Sequence, residues 1–253
     1  ISDIYSKGVT PKYIFISASG NKKSFNKRNL KLISKSISAE QKKFNIKLSG
    51  GDTTTSKKSS FTIVSLGFSK KIIRRNNVKL GDDIYVTGNL GDSYVGLNLL
   101  KKKVKTNKKL TNYFINKYYL PNLPIKVHSH LIKFANSSID ISDGLFVDLI
   151  KLINRQKLSF IVNADLIPIS KNLSTYLKKN NKKPLNFISR GDDYQILFTA
   201  SKKKSRIIKR TFKSLGIKIS KIGNISSGAQ KSQIIDEKGN KIAIKNKGHF
   251  HNF

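Results

Sequence analysis

The first third of the chain shows two strand-like runs, 12–17 and 61–68, dense in β-forming residues. Between them, a polar stretch over 24–44 carries a thin apolar stripe at Leu30, Ile33 and Ile37, the spacing of a helix lying on a sheet face. Residues 1–8 read as the tail of a helix closed by Gly8 and followed by Pro11. A short strand at 46–48 runs into a Gly50-Gly51-Asp52-Thr53 turn. Beyond a Lys-, Arg- and Asn-rich crossing over 69–79, residues 80–93 read as turn, strand, Gly turn and helix start. Helices follow over 94–100 and 110–119; Pro121 and Pro124 interrupt the second, which resumes over 125–134.

The clearest change of rhythm comes at 137–149. Ile139 and Ile141 alternate with polar neighbours as in a strand, whereas Leu145, Leu149 and Leu152 recur at helical spacing. A strand therefore ends and a helix begins at Asp143-Gly144. After that helix (145–153) come a strand at 158–162 and a turn at 189–194 that carries adjacent carboxylates into an apolar strand. A helix over 201–215, an extended run at 217–222 and a hairpin of 234–235 with 242–244 around Lys238-Gly239-Asn240 complete the chain.

At 253 residues and 38% hydrophobic content the chain can bury a real core in one large or two ordinary domains. No apolar run approaches the ~20 residues of a membrane span, so the chain reads as soluble, with the cytoplasm as default location. The absence of cysteine excludes disulfides, thiolate metal sites and a Cys nucleophile. A start at Ile1 and the lack of any Met read as a fragment without its natural N-terminus. The net charge of +36 would ordinarily point to nucleic acid. Here the Lys residues are spread over every expected helix and loop, and abundant Asn and Ile suggest a codon bias toward AAA, AAT and ATA. No specific nucleic-acid partner is expected, although such a field attracts anionic ligands generally.

Against that background the 14 acidic residues are informative: twelve are Asp, and Asp52, Asp82, Asp92, Asp143 and Asp192 adjoin a Gly. Short carboxylates on Gly turns suit a hard cation beside a phosphate, though Asp-Gly is also common turn chemistry. Asp140, Ser142 and Asp143 combine carboxylates with the free N–H groups and positive end of a helix start; Asp143 acting simply as a cap is the alternative. Gly88-Asn-Leu-Gly91 matches neither a dinucleotide fingerprint nor a Walker loop. The pairs His128/His130 and His249/His251 lack helical metal-ligand spacing.

Taken in order, these turns resemble thiamine-monophosphate kinase, of the superfamily typified by aminoimidazole ribonucleotide synthetase. The matching pieces are Ser2-Asp3 with Gly8 and Pro11, Gly50-Gly51-Asp52-Thr53-Thr54, Arg75 with Gly81-Asp82, and Tyr85-Val86-Thr87-Gly88. Gly91-Asp92-Ser93, Asp140-Ile141-Ser142-Asp143-Gly144-Leu145, Gly191-Asp192-Asp193-Tyr194 and Gly248-His249-Phe250-His251 complete the set. The resemblance implies a two-domain α/β fold: 1–70 as the remainder of an N-terminal ATP- and Mg²⁺-binding, dimerising domain, and 71–253 as a larger substrate-covering domain. It implies a homodimer that moves the γ-phosphoryl group of ATP onto thiamine monophosphate with Mg²⁺. Carried over by motif, Asp3, Asp52, Asp140 and Asp143 would ligate Mg²⁺; Gly51, Asp52, Arg75 and Ser142 would contact ATP; and Asp192, His249 and Phe250 would meet the thiamine end.

The chain departs from the family pattern in several places. The family's upstream Gly-Asp-Asp segment and Thr-Asp strand are absent, which implies weak ATP binding by this chain alone. Asp192 stands for a usual Glu, Arg190 for a usual Gly and His249 for an aromatic, and 121–126 deviates from Pro-x-Pro-Arg. Sibling synthetases for aminoimidazole ribonucleotide or selenophosphate, and a basic nucleic-acid-binding protein without catalysis, are the rival readings.

Overall fold

The computed structural model describes residues 1–154, 156–243 and 248 and divides into two compact units. One comprises Ile1, Asp3–Tyr5 and Val9–Lys71; the other comprises Ser2, Ser6–Gly8 and Ile72–Phe253. Among the described residues no helix is long and apolar enough to cross a membrane.

After helix α1 (Ser2–Ser6), the first unit runs β1 (Pro11–Gly20), α2 (Lys27–Phe44), β2 (Lys47–Thr55) and β3 (Ser60–Gly67). The sheet order is β2-β1-β3, with β1 parallel to β2 and antiparallel to β3. A parallel neighbour needs a crossover, and α2 provides it. Asn26 starts this helix by accepting the Asn29 N–H at 2.9 Å, and Asn45 ends it in the left-handed conformation that Asn tolerates. Phe44 closes the helix on its buried side, while Leu30, read as part of the buried stripe, is 43% exposed. The Gly50–Thr53 segment is a second difference: it is the continuation of β2, paired with β1 as far as Thr55, and not a turn. The register shift at Ile14/Phe15 leaves Ser49 as the extra residue of β2, after which Gly50 and Gly51 pair with Phe15 and Ile16 and the ladder runs on.

The second unit is built on β4 (Asp83–Thr87), followed by α3 (Asp92–Leu100), α4 (Lys108–Tyr119), α5 (His128–Leu131) and β5 (Ser137–Asp140). Next come α6 (Leu145–Leu152), β6 (Leu158–Asn163), α7 (Lys171–Lys179), α8 (Leu185–Ile188), β7 (Ile196–Ala200), α9 (Ser205–Leu215), β8 (Ile219–Ser227) and β9 (Gln233–Ile235). The six strands lie in the order β5-β7-β4-β8-β6-β9, antiparallel except for β6 and β9.

Successive side chains of a strand point to opposite faces, and here both faces are buried. Ile84 and Val86 of β4 and Leu197 of β7 join one core with Leu145, Phe146, Leu149 and Leu152 of α6. Tyr85 and Phe198, the residues between them, enter a second core with Leu131 of α5 and with Ile208 and Phe212 of α9. In that second core Tyr85 stacks on Phe198, with ring centres 5.2 Å apart. A third cluster ties α3, α4, α7 and α8 through Val95, Phe114, Leu173, Tyr176 and Phe187. Helix α7 is absent from the sequence reading: its short apolar stripe sits among Lys and Asn, and its start depends on Ser170 accepting the Leu173 N–H.

Candidate active site

Strand β5 delivers Asp140 at its end, paired across the ladder with Ile196. The chain then turns through Ser142, Asp143 and Gly144 into α6. Asp148, one turn into that helix, reaches back and its Oδ2 accepts the N–H groups of Ser142, Asp143 and Gly144 at 3.1, 3.0 and 3.1 Å. The free N–H groups expected at this helix start are therefore already taken, and by a side chain from within the helix. Asp143 does not cap the helix; its carboxylate pairs with Lys151, whose Nζ also donates to Asp148 Oδ1 at 3.0 Å. Burial pulls the Lys151 pKa down, but the bonds to Asp143 and Asp148 outweigh it and hold the ammonium above its ordinary value.

A second turn, 189–194, is locked against the first. The Asp192 N–H donates to the Ser142 carbonyl and the Tyr194 N–H to the Ile141 carbonyl, both at 2.9 Å. The approach is so close that a Cβ on Gly191 would fall 1.9 Å from the Ser142 carbonyl oxygen, and one on Gly144 would fall 2.3 Å from that of Ser189. Only glycine fits at either position. Asp192 and Tyr194 both adopt positive φ, 67° and 51°, the backbone strain that function-bearing turns often hold. Tyr194 is pushed up to about 12 by burial and then by the Asp192 carboxylate beside it.

Between the two turns and the end of α3 lies a cavity of about 560 Å³ whose lining includes Lys101, Lys103, Ser142, Asp143, Arg190 and Asp192. The structure thus brings Ser142, Asp143 and Asp192 to one cavity. Asp140 is 5% exposed, at the foot of the same turn, with Oδ2 accepting the Ser2 hydroxyl at 2.7 Å. Arg75 is exposed in the irregular chain before β4. In the first unit, Asp3 lies in α1, Gly51 lies in β2, and Asp52 of β2 accepts the Thr53 N–H at 2.7 Å. His249 and Phe250 lie outside the described residues. Gly248 is within them, and a Cβ there would fall 2.7 Å from the Asp143 carbonyl oxygen.

Two other Gly-adjacent carboxylates, Asp82 and Asp92, are committed to architecture. Asp82 accepts both Asn136 Nδ2 bonds at 2.9 Å, and Asp92 accepts the Ser170 hydroxyl at 2.7 Å and the Tyr113 hydroxyl at 2.8 Å. Nearby, Asp193 accepts the Gly91 N–H at 2.8 Å, and its full burial drives its pKa well above the usual carboxylate range. Sequence reasoning missed Asp148 and Lys151; their signal is an acid one turn after a Gly-initiated helix start, with a cation three residues on.

Residues 1–69 match the model of the family described as AIR synthase related protein, N-terminal domain. Thiamine-monophosphate kinase from Buchnera aphidicola subsp. Schizaphis graminum is 37% identical over 260 residues, covering 99% of this chain and 77% of that protein. The chain belongs to the thiamine-monophosphate kinase family. Solved structures place the family's fold over nearly the whole chain. The thiamine monophosphate kinase (ThiL) of Aquifex aeolicus superposes with a TM-score of 0.81 at 25% identity, covering 96% of this chain and 78% of that one. AaThiL complexed with AMPPCP and TMP superposes with 0.84 at 26% identity, covering 99% and 77%. As a member of this kinase family the chain is an enzyme, and its fold is that of the AIR synthase group.

Among the described residues no group of three or more His, Asp or Glu side chains is placed to hold a metal ion. Mg²⁺ is ordinarily held by one or two carboxylates together with substrate phosphates and water. The donors present, Asp140 and Asp143 in one unit and Asp3 and Asp52 in the other, are hard oxygen ligands of the type it takes.

Proposed function

We propose that the protein phosphorylates thiamine monophosphate with ATP. A phosphate oxygen of the acceptor attacks the γ-phosphorus in line, the bond to the β-phosphate oxygen breaks, and thiamine diphosphate and ADP leave. The observation that carries this reading is the fit of essentially the whole chain to a ThiL complexed with AMPPCP and TMP. Phosphoryl transfer needs positioning and charge neutralisation more than covalent chemistry, which agrees with a cavity lined by Ser142, Asp143 and cationic side chains.

In this reading Asp3, Asp52, Asp140 and Asp143 hold magnesium, while Gly51, Asp52, Arg75 and Ser142 contact ATP. Asp192 holds the thiamine end, with His249 and Phe250 as stacking candidates. Bound magnesium would neutralise phosphate charge. The chain's own residues keep the turn ready: Asp148 fixes the backbone of 142–144 and Lys151 holds the Asp143 carboxylate in place. Residues 1–70 serve ATP and dimerisation, and 71–253 cover the substrate. The homodimer is supported by one face of the three-stranded sheet, where the directly paired residues Tyr13, Leu66, Phe15 and Val64 are all exposed.

The test follows thiamine diphosphate from ATP and thiamine monophosphate with and without Mg²⁺. Product should form only with the metal, and Asp143→Ala should lower kcat by at least about a hundredfold while the protein still melts cooperatively. ATP turnover without thiamine diphosphate, or an unaffected Asp143→Ala enzyme, would sink the reading.

A further inference from the structure

The cavity beside the Ser142–Asp143 turn has a cationic wall that none of these roles uses. Arg190 lines it, with the guanidinium carbon 5.1 Å from the centre of the Tyr94 ring. The Tyr94 ring in turn meets Phe187 edge-on at 5.9 Å, and the Arg190 backbone N–H donates to the Phe187 carbonyl at 3.1 Å, so the ring is positioned beneath the guanidinium and the backbone that carries the side chain is fixed. Arginine Nε is buried and has no acceptor among the described residues. Of the five buried side-chain polar atoms without a hydrogen-bond partner among the described residues, it alone belongs to a residue lining this cavity, and a ligand oxygen is a sufficient partner for it.

Lys101 and Lys103 line the same cavity. Their backbone is pinned at the end of α3 by N–H bonds from Lys101 to Leu97 and from Lys103 to Asn98, at 3.0 and 2.9 Å. Of the acids on the cavity, Asp143 is paired with Lys151, which it shares with Asp148. The lining itself carries three cations against the two carboxylates Asp143 and Asp192. Lysines are everywhere in this chain, at 43 of its 50 basic residues, so an arginine here carries more weight than another lysine would. A stacked guanidinium keeps its donor edge free for two parallel bonds to a phosphate, which an ammonium cannot make.

We propose that Arg190, assisted by Lys101 and Lys103, recognises the phosphate of the phosphomonoester acceptor and makes the enzyme select thiamine monophosphate over thiamine. The inference rests on the function proposed above. The cavity touches both Ser142, assigned to the nucleotide, and Asp192, assigned to thiamine, so its phosphate could come from either substrate. Its extension to Asp192 and Tyr194 favours the acceptor.

Calorimetric titration of the whole chain with thiamine monophosphate, thiamine and ATP tests this. Arg190→Gln should weaken thiamine monophosphate binding by about tenfold or more, a charged hydrogen bond's worth, and leave ATP binding and the melting temperature unchanged. Arg190→Lys should recover part of the loss and Lys103→Gln should show a smaller one. Lys209→Gln, the same charge change on an exposed face of α9, should show none. An equal loss for ATP and thiamine monophosphate, a loss for ATP alone, or none for either would overturn the proposal. Wild-type protein that binds no thiamine monophosphate would instead overturn the function on which it rests.

Discussion

Asp148 spends its carboxylate on three backbone N–H groups and a lysine, and the shape of the Ser142–Gly144 turn depends on it. Each donor left without an acceptor costs about 1–3 kcal/mol. Asp148→Ala should therefore lower unfolding free energy by about 3 kcal/mol or more in a urea titration; a change within 0.5 kcal/mol, about what a surface substitution gives, would mean the turn holds itself. Asp92 makes a different prediction. Burial raises its pKa against the opposing bonds from Ser170 and Tyr113. The folded state then binds its proton more tightly than the unfolded chain, so its contribution falls as pH rises from about 4 through the group's own higher pKa. Relative to wild type, Asp92→Asn should flatten the loss of thermal stability over that window, and an unchanged slope would count against the assignment. At this scale the sequence is readable where chemistry is local: Ser142 and Asp143 stand out because the apolar rhythm changes beside them. The role of Asp148 is not, because an acid in a first helical turn reads as ordinary dipole compensation.

Among the elements, those with strong periodicity emerge from the sequence close to their observed limits, as β5 and α6 do. The failures share a cause, which is that tertiary pairing overrides local preference. Two adjacent glycines read as a turn, yet alignment against β1 draws them into β2. Helix α7 has too few apolar residues to announce itself and depends on the cluster of α3, α4 and α8. The interlock between the 142–144 and 189–194 turns is likewise invisible in sequence, since its two halves are nearly fifty residues apart. Gly191→Ala would press a methyl group to 1.9 Å from the Ser142 carbonyl oxygen. Such overpacking costs about 1–3 kcal/mol, and the displaced turn should lose most activity even where the protein stays folded. Full activity in this variant would show that the turns move independently.

For the whole molecule, family and fold class follow from the order of the turns, whereas the division of labour between faces of a sheet does not. Among the described residues, Tyr13, Phe15, Val64 and Leu66 form an apolar face on the sheet of the first unit, each at least 37% exposed. With a charge of +36 on each copy, association through that face works against repulsion that salt relieves. Sedimentation should show a dimer that strengthens from low to moderate ionic strength and reverts to monomer in Val64→Glu. A monomer at all concentrations would remove the homodimer from the proposed function.

The bonds from Asp148 have a consequence for time as well as for shape. A turn whose amides are satisfied from inside its own helix owes nothing to nucleotide or metal for its order. In deuterated solvent the amide hydrogens of Ser142, Asp143 and Gly144 should exchange slowly in protein without ligand, and adding ATP should slow them little further.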